Sequence, residues 1–273
     1  MKLKLWSVGG LAVCLGLACP VKSWALTPRS ADPYLGAIAV DAATGNVLFE
    51  NNADAQGYPA SMIKLMDLLI VLEKVEEGAL TLQDPITVTA ESSTIGGSQV
   101  YLKEKEVFTV DELLYAMIVQ SANDAATALA IQIAGTKEGF VEMMNERAQA
   151  LGMKSTVFHS VHGLPPAADQ EPDLSTPRDL AILCRELVKK PDALRYTSTR
   201  NRGFRNETFQ MQSHNPLLWT FEGCDGLKTG YYRDAGFSMC VTATRKGERV
   251  IAVIMGSQDK KVRNAKAAEL LSK

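Results

Sequence analysis

The chain has 273 residues, 46% of them apolar and 22% charged, with 29 Lys and Arg against 31 Asp and Glu. That length accommodates one large domain or two small ones, and the balance is that of a soluble globular protein, which excludes a disordered, collagen-like or polytopic membrane chain. A net charge of −2 supplies no basic footprint for nucleic acid, so none is expected as a partner.

The first residues stand apart from that average. Lys2 and Lys4 give a positive start, Leu5 to Val21 is an apolar stretch, and Ser23 and Ala25 place small residues at the −3 and −1 positions of a cut. This layout predicts a secretory signal peptide over residues 1–25 and an exported mature chain from Leu26. Two alternatives stay open: an uncleaved anchor, for which the run is short and interrupted by Pro20, and a lipidated Cys19, against which Gly16 stands. Membrane contact is expected only if the segment is uncleaved. Removing it takes away Cys14 and Cys19 and leaves Cys184, Cys224 and Cys240, an odd set without regular spacing and so no disulfide scaffold. Cys184 shares an apolar face with Leu180, Leu183 and Leu187 and reads as a small buried hydrophobe. A Cys224–Cys240 bridge stays open, because both fall in strand-like runs.

Residues 26–273 read as a single domain without repeats or linkers. Leu35 to Val40 and Asn46 to Glu50 are strand-like around the hairpin signal Ala42-Ala-Thr-Gly45. Ser61 to Glu76 carries Ile63, Leu65, Met66, Leu69, Ile70 and Leu72 at helical spacing, with Pro59 suited to the entry. Thr109-Val-Asp-Glu112 is a capping box opening a helix to about Gln120. Further helices are predicted from about Asp124 to Ala134, from Lys137 to Leu151, and from Thr176 as N-cap with Pro177 at the first helical position. Gly236 to Thr244 and Arg249 to Met255 are β-rich, followed by a helix from about Asp259. Strands at both ends with helices between predict an α+β architecture: an antiparallel sheet from both chain ends, flanked by helices, with a helical lobe inserted at about residues 59–200.

Three short motifs could carry chemistry. Ser61-Met-Ile-Lys64 puts a hydroxyl and an ammonium one helical turn apart, where a lysine of lowered pKa can activate the serine. Ser121-Ala-Asn123 lies in a break between helices; Asn123 suits an N-cap, and a hydroxyl with an amide also suits proton relay and carbonyl binding. In Lys228-Thr-Gly230, before a turn and a β run, Lys228 offers a cation, Thr229 a hydroxyl, and Gly230 room for a substrate backbone. An exposed strand there would accept an extended peptide by β-addition.

The ordered set S-x-x-K, S-x-N and K-T-G is that of active-serine penicillin-recognising enzymes. Around it, Pro59-Ala-Ser-Met-Ile-Lys-Leu-Met66, Gln120-Ser-Ala-Asn-Asp-Ala-Ala126, His162-Gly-Leu-Pro165, Ser175-Thr-Pro-Arg-Asp-Leu-Ala181, Asn215-Pro-Leu-Leu218 and Asp225-Gly-Leu-Lys-Thr-Gly-Tyr231 resemble the D-alanyl-D-alanine carboxypeptidases of low-molecular-mass penicillin-binding type. The resemblance runs from about Leu35 to the C-terminus and implies a β-lactamase/transpeptidase-like fold. It implies Ser61 as the nucleophile on the carbonyl between the terminal D-alanines of a peptidoglycan stem peptide, Lys64 as general base, and Ser121 as proton shuttle. Asn123 would orient the substrate amide, Lys228 support the network, and Thr229 bind the terminal carboxylate. The backbone N–H groups of Ser61 and Tyr231 would form the oxyanion hole. β-Lactams are implied as covalent inhibitors, with no cofactor or metal, and the periplasm or cell-wall side of the membrane as the location.

Two departures bear on this. Many relatives carry a β-rich second domain and a C-terminal amphipathic helix, whereas this sequence stops at Lys273, so neither is expected and soluble periplasmic behaviour is. Glu171-Pro-Asp-Leu174 looks like the segment supplying the deacylating glutamate of class A β-lactamases, but it runs directly into Ser175-Thr-Pro177, and Ser121-Ala-Asn123 lacks the lactamase aspartate. Endopeptidase action on D-alanyl cross-links and β-lactamase action are the serine alternatives. A zinc site of His159, His162 and His214 is a further one, although no H-E-x-x-H is present. A non-catalytic wall-binding module is the last, and it would not need all three motifs intact. His214, shortly before the Lys-Thr-Gly strand, is expected to line the cleft.

Overall fold

A computed structural model describes residues 32–273; the expected signal segment, residues 1–25, lies outside them. In chain order the elements are β1 (Gly36–Asp41), β2 (Val47–Asn51), α1 (Lys64–Glu76), β3 (Pro85–Thr87), α2 (Ala90–Ser93), β4 (Val107–Thr109), α3 (Val110–Val119), α4 (Asn123–Ala134), α5 (Lys137–Leu151), α6 (Pro177–Leu187) and α7 (Pro191–Thr197). They continue with β5 (Asn201–Phe204), β6 (Phe209–Gln212), α8 (Leu217–Thr220), β7 (Cys224–Tyr232), β8 (Gly236–Arg245), β9 (Glu248–Ser257) and α9 (Lys260–Leu271). No helix among the described residues is long and apolar enough to cross a membrane.

The five-stranded sheet runs β2-β1-β9-β8-β7, antiparallel throughout. The first and last strands meet at its centre, with Gly36 opposite Met255 and Val40 opposite Ile251. Alternate residues serve opposite faces. Ile38, Val40, Ile251, Val253 and Met255 pack into the helical core with α1 and α6. Ala37, Ala39, Ala252 and Ile254 face Ala267, Leu270 and Leu271 of α9. Because both faces are covered, β1 reads as an unbroken apolar run rather than an alternating one. The α+β layers therefore form as expected, and β7 is left as an edge strand.

Helix α1 is buried from Lys64 through Leu72 on every side, so it runs through the core rather than lying on it. It starts later than its periodicity predicts. Ala60–Ile63 is a single 3-10 turn, and Ala60 holds a φ of 49°, which a regular helix does not accept. The capping box closes as read: Thr109 Oγ1 accepts the Glu112 N–H, and Glu112 accepts the Thr109 N–H. Thr176 caps α6 through the Asp179 N–H, with Pro177 opening the helix.

The Cys224–Cys240 bridge does not form. The strands are neighbours, but Cys224 is opposite Ala243 while Cys240 is opposite Lys228, and Cys184, Cys224 and Cys240 are all free. Cys240 instead packs against the Met62 sulfur at 3.6 Å.

Candidate active site

Three parts of the chain meet at the exposed edge of the sheet. The 3-10 turn carries Ser61, the break between α3 and α4 carries Ser121, and β7 carries Lys228 and Thr229. Ser61, Ser121 and Thr229 line a cleft of about 270 Å³ together with Ser98, His214, Gly230, Tyr231, Phe237, Lys260 and Arg263, with Lys228 buried behind them.

Lys64 is completely buried, and its Nζ donates to Ser61 Oγ (3.2 Å), Asn123 Oδ1 (2.7 Å) and the His162 carbonyl (2.7 Å). Every N–H of the ammonium thus has an acceptor. Burial lowers its pKa to about 8, opposed by the carboxylates of Asp67, Asp173 and Asp124. An amine in that range is poised to take a proton near neutrality, as a base for a serine must.

The second cluster is assembled across the fold. Lys228, also buried, donates from Nζ to Ser121 Oγ at 2.8 Å and to the Thr229 carbonyl at 3.2 Å. Burial, then the neighbouring charge of Lys64, holds its pKa well below the usual lysine value. Ser121 reaches it from a left-handed backbone, φ 62°, a conformation that costs a non-glycine residue about 1–2 kcal/mol and that turns the chain sharply between α3 and α4.

Asn123 does not cap α4. Ala122 holds the N-cap position without a side-chain bond, and Asn123 is turned inward, accepting from Lys64 and donating to the Gly96 carbonyl at 2.8 Å. Its backbone N–H bonds the Ser98 carbonyl, which fixes the 96–98 wall of the cleft. Gly230 lines the cleft, and its lack of a side chain also serves packing: a Cβ there would lie 2.5 Å from the Pro59 carbonyl, so it lets β7 close on the turn that carries Ser61. Tyr231 is exposed at the rim and stacks on Phe237 with ring centres 4.2 Å apart.

The histidines do not converge. His159 is exposed, His162 accepts the Leu164 N–H through Nδ1, and His214 stands at the cleft mouth. Among the described residues no three His, Cys, Asp or Glu side chains form a metal-binding group. Burial, then Lys64 and Lys137, keeps His162 neutral with a pKa of about 4. Although solvent reaches the His214 ring, desolvation and then Lys228, Lys64 and Arg263 lower its pKa as well. Glu171 is exposed. The buried carboxylate of its segment is Asp173, which accepts from the His159 and Ser160 N–H groups and from Ser160 Oγ, while Ser160 Oγ accepts the Gly163 N–H. That chain of bonds holds the loop whose His162 carbonyl receives Lys64.

Sequence reading missed Ser98, Asp173, Lys260 and Arg263. Only α9 carried a signal: Lys260, Lys261 and Arg263 crowd its first turn without an acid, against the preference of a helix N-terminus for negative charge. Arg263 is 6% exposed and bonds only neutral groups, the Ser238 carbonyl and Asn264 Oδ1; desolvation lowers its pKa to about 10. A buried guanidinium beside an open cleft is suited to an anion.

Comparison with known proteins agrees with this geometry. Residues 33–259 match the family model described as D-alanyl-D-alanine carboxypeptidase. The chain is 34% identical over 248 residues to D-alanyl-D-alanine carboxypeptidase DacF of Bacillus subtilis (strain 168), covering 90% of this chain and 63% of that protein. It superposes on penicillin binding protein 6B from Escherichia coli with a TM-score of 0.82 at 34% identity, covering 90% of this chain and 78% of that one. Penicillin-Binding Protein D2 from Listeria monocytogenes, in its ampicillin-bound form, gives a TM-score of 0.79 at 31% identity, covering 90% and 98%. The chain spans between 59% and 64% of the length of the first curated relatives it matches.

Proposed function

Because the chain belongs to the D-alanyl-D-alanine carboxypeptidase family, we propose that it removes the terminal D-alanine from peptidoglycan stem peptides through an acyl-Ser61 intermediate, and that β-lactams trap that serine. The observation that carries the reading is the Ser61 Oγ–Lys64 Nζ contact at 3.2 Å, with the lysine buried and poised near neutrality.

In the proposed reaction the neutral Lys64 amine accepts the Ser61 proton as Oγ bonds to the penultimate D-alanine carbonyl. Ser61 is the second residue of its turn, so its N–H is among the first, which have no intrahelical partner, and with the Tyr231 N–H it would hold the oxyanion. As the C–N bond breaks, the leaving D-alanine nitrogen takes a proton relayed through Ser121, which Lys228 contacts directly. Thr229, with Lys260 and Arg263 on the same cleft, would seat the terminal carboxylate. Water then adds to the acyl ester and releases a stem peptide shorter by one residue, restoring the Ser61 hydroxyl. We place this activity outside the cytoplasm, in keeping with the leader layout of residues 1–25 and a wall substrate.

The test is an intact-mass time course of the protein with benzylpenicillin, paired with an assay for remaining drug. A long-lived adduct mapping to Ser61 is expected. Rapid drug loss without an adduct would instead make the protein a β-lactamase, and an untouched drug would remove the serine mechanism.

A further inference from the structure

Three buried carboxylates surround Lys64, and they are not equivalent. Asp124 accepts backbone N–H groups from Val100, Leu102 and Ala125. Asp173 accepts from two backbone N–H groups and the Ser160 hydroxyl. Each of these two thus has protein donors in place of lost water, although burial still raises the pKa of Asp173. Asp67 is different: it is 1% exposed, and neither carboxylate oxygen has a hydrogen-bond partner. It lies three residues after Lys64 on α1, one turn away on the same face.

We propose that Asp67 is a positioning residue for the reaction: its unpartnered buried carboxyl sets the pH at which Lys64 gives up its proton and becomes able to activate Ser61. The proposal rests on Lys64 being the base for Ser61.

A carboxylate in this position is expensive to ionise, since nothing replaces the water it has lost. Burial accordingly pushes Asp67 far above the usual carboxylate range, the anion of Asp173 pushes the same way, and only the Lys64 cation opposes them. Its negative charge therefore depends on the lysine's positive one, and the two titrate as a coupled pair. While Asp67 is ionised it favours the ammonium, which delays the loss of the Lys64 proton to higher pH. The other charged groups facing Lys64 are Asp124 from α4, Asp173 from the segment before α6, and Lys228 from β7. Those two carboxylates are held in place by their donors, and Lys228 favours the neutral amine. Nearby His162 is held neutral, and the pKa of His214 is lowered too. Asp67 is thus the carboxylate of the three that, among the described residues, has no hydrogen-bond donor to hold its charge if Lys64 loses its own.

The test is the rate of Ser61 acylation by benzylpenicillin across pH for the wild type, Asp67→Asn and Asp67→Leu. Both substitutions match the side chain in size and leave no partner unsatisfied, so either one suffices if the other fails to fold. The expected result is an acid limb moved down by about one pH unit, so that acylation well below the limb is about tenfold faster in both variants. A limb that stays in place, with only the rate or the melting temperature changed, would reduce Asp67 to a structural residue and overturn the proposal. A limb moved upward would overturn it as well. A wild type that forms no Ser61 adduct would overturn the nucleophile assignment itself, which separates the two failures.

Discussion

The cleft holds two serine–lysine pairs that look alike and are built in opposite ways. Ser61 and Lys64 are three residues apart across the entry to one helix, whereas Ser121 and Lys228 are 107 residues apart and meet only when the inserted helices close on β7. Both lysines are desolvated, but Lys64 faces three carboxylates that restrain the fall of its pKa, while Lys228 faces first the cation of Lys64. The same two residue types thus yield a base with a pKa of about 8 beside Ser61 and a second amine, its pKa also held well below the usual lysine value, beside Ser121. Charge surroundings, rather than burial, separate the roles.

The sharpest way to break the comparison is at the first pair. Ser61→Ala should abolish the penicillin adduct in an intact-mass assay, and Lys64→Ala should slow acylation by about 10³-fold or more, with the double variant little worse because the pair acts as a unit. At the second pair, Ser121→Ala and Lys228→Ala should each cost about 10²-fold in D-alanine release. Their effects should fall short of multiplying when combined, and full multiplication would show that the 2.8 Å contact carries no relay. The pairs also differ in pH response. Since Lys64 acts only without its proton and has its pKa near 8, acylation should rise with pH and level off above about 8; a rate falling across that range would contradict a neutral-lysine base. The smallest effect serves as the control: Thr109→Ala removes the hydroxyl half of a capping box remote from either pair and leaves the backbone bond to Glu112; it should cost about 1 kcal/mol, lower the melting temperature by about 2–4 °C, and leave the acylation rate unchanged.

Local interactions were legible in the sequence. The capping box at Thr109, the N-cap at Thr176 and the Ser61–Lys64 spacing each close within a few residues, so residue identity decides them. The antiparallel sheet was readable from β-rich runs at both ends, although the meeting of its first and last strands was not. Asn123 shows where such reading stops. A cap and a lysine ligand demand the same residue type at a helix start, and only the buried Lys64 opposite turns the side chain inward. Asp173 was legible as part of an acidic segment, yet its work is to accept the His159 and Ser160 N–H groups 14 and 13 residues away. Arg263 sits on a terminal helix whose direction across the sheet the sequence does not encode locally.

The pairing of β1 with β9 joins residues 36–41 to residues 250–255, and it bears on how the molecule comes into being. The sheet's other pairings join strands adjacent in sequence, so this one non-local pairing is the slow step of its assembly. During synthesis the first strand must wait for about 200 further residues before its central partner exists. Until then its apolar run remains a sticky edge, and the cleft, which hangs on the same sheet two strands away, has no frame. A product stopped short of β9 would therefore carry all three motifs without the complete sheet on which β7 brings Lys228 to Ser121.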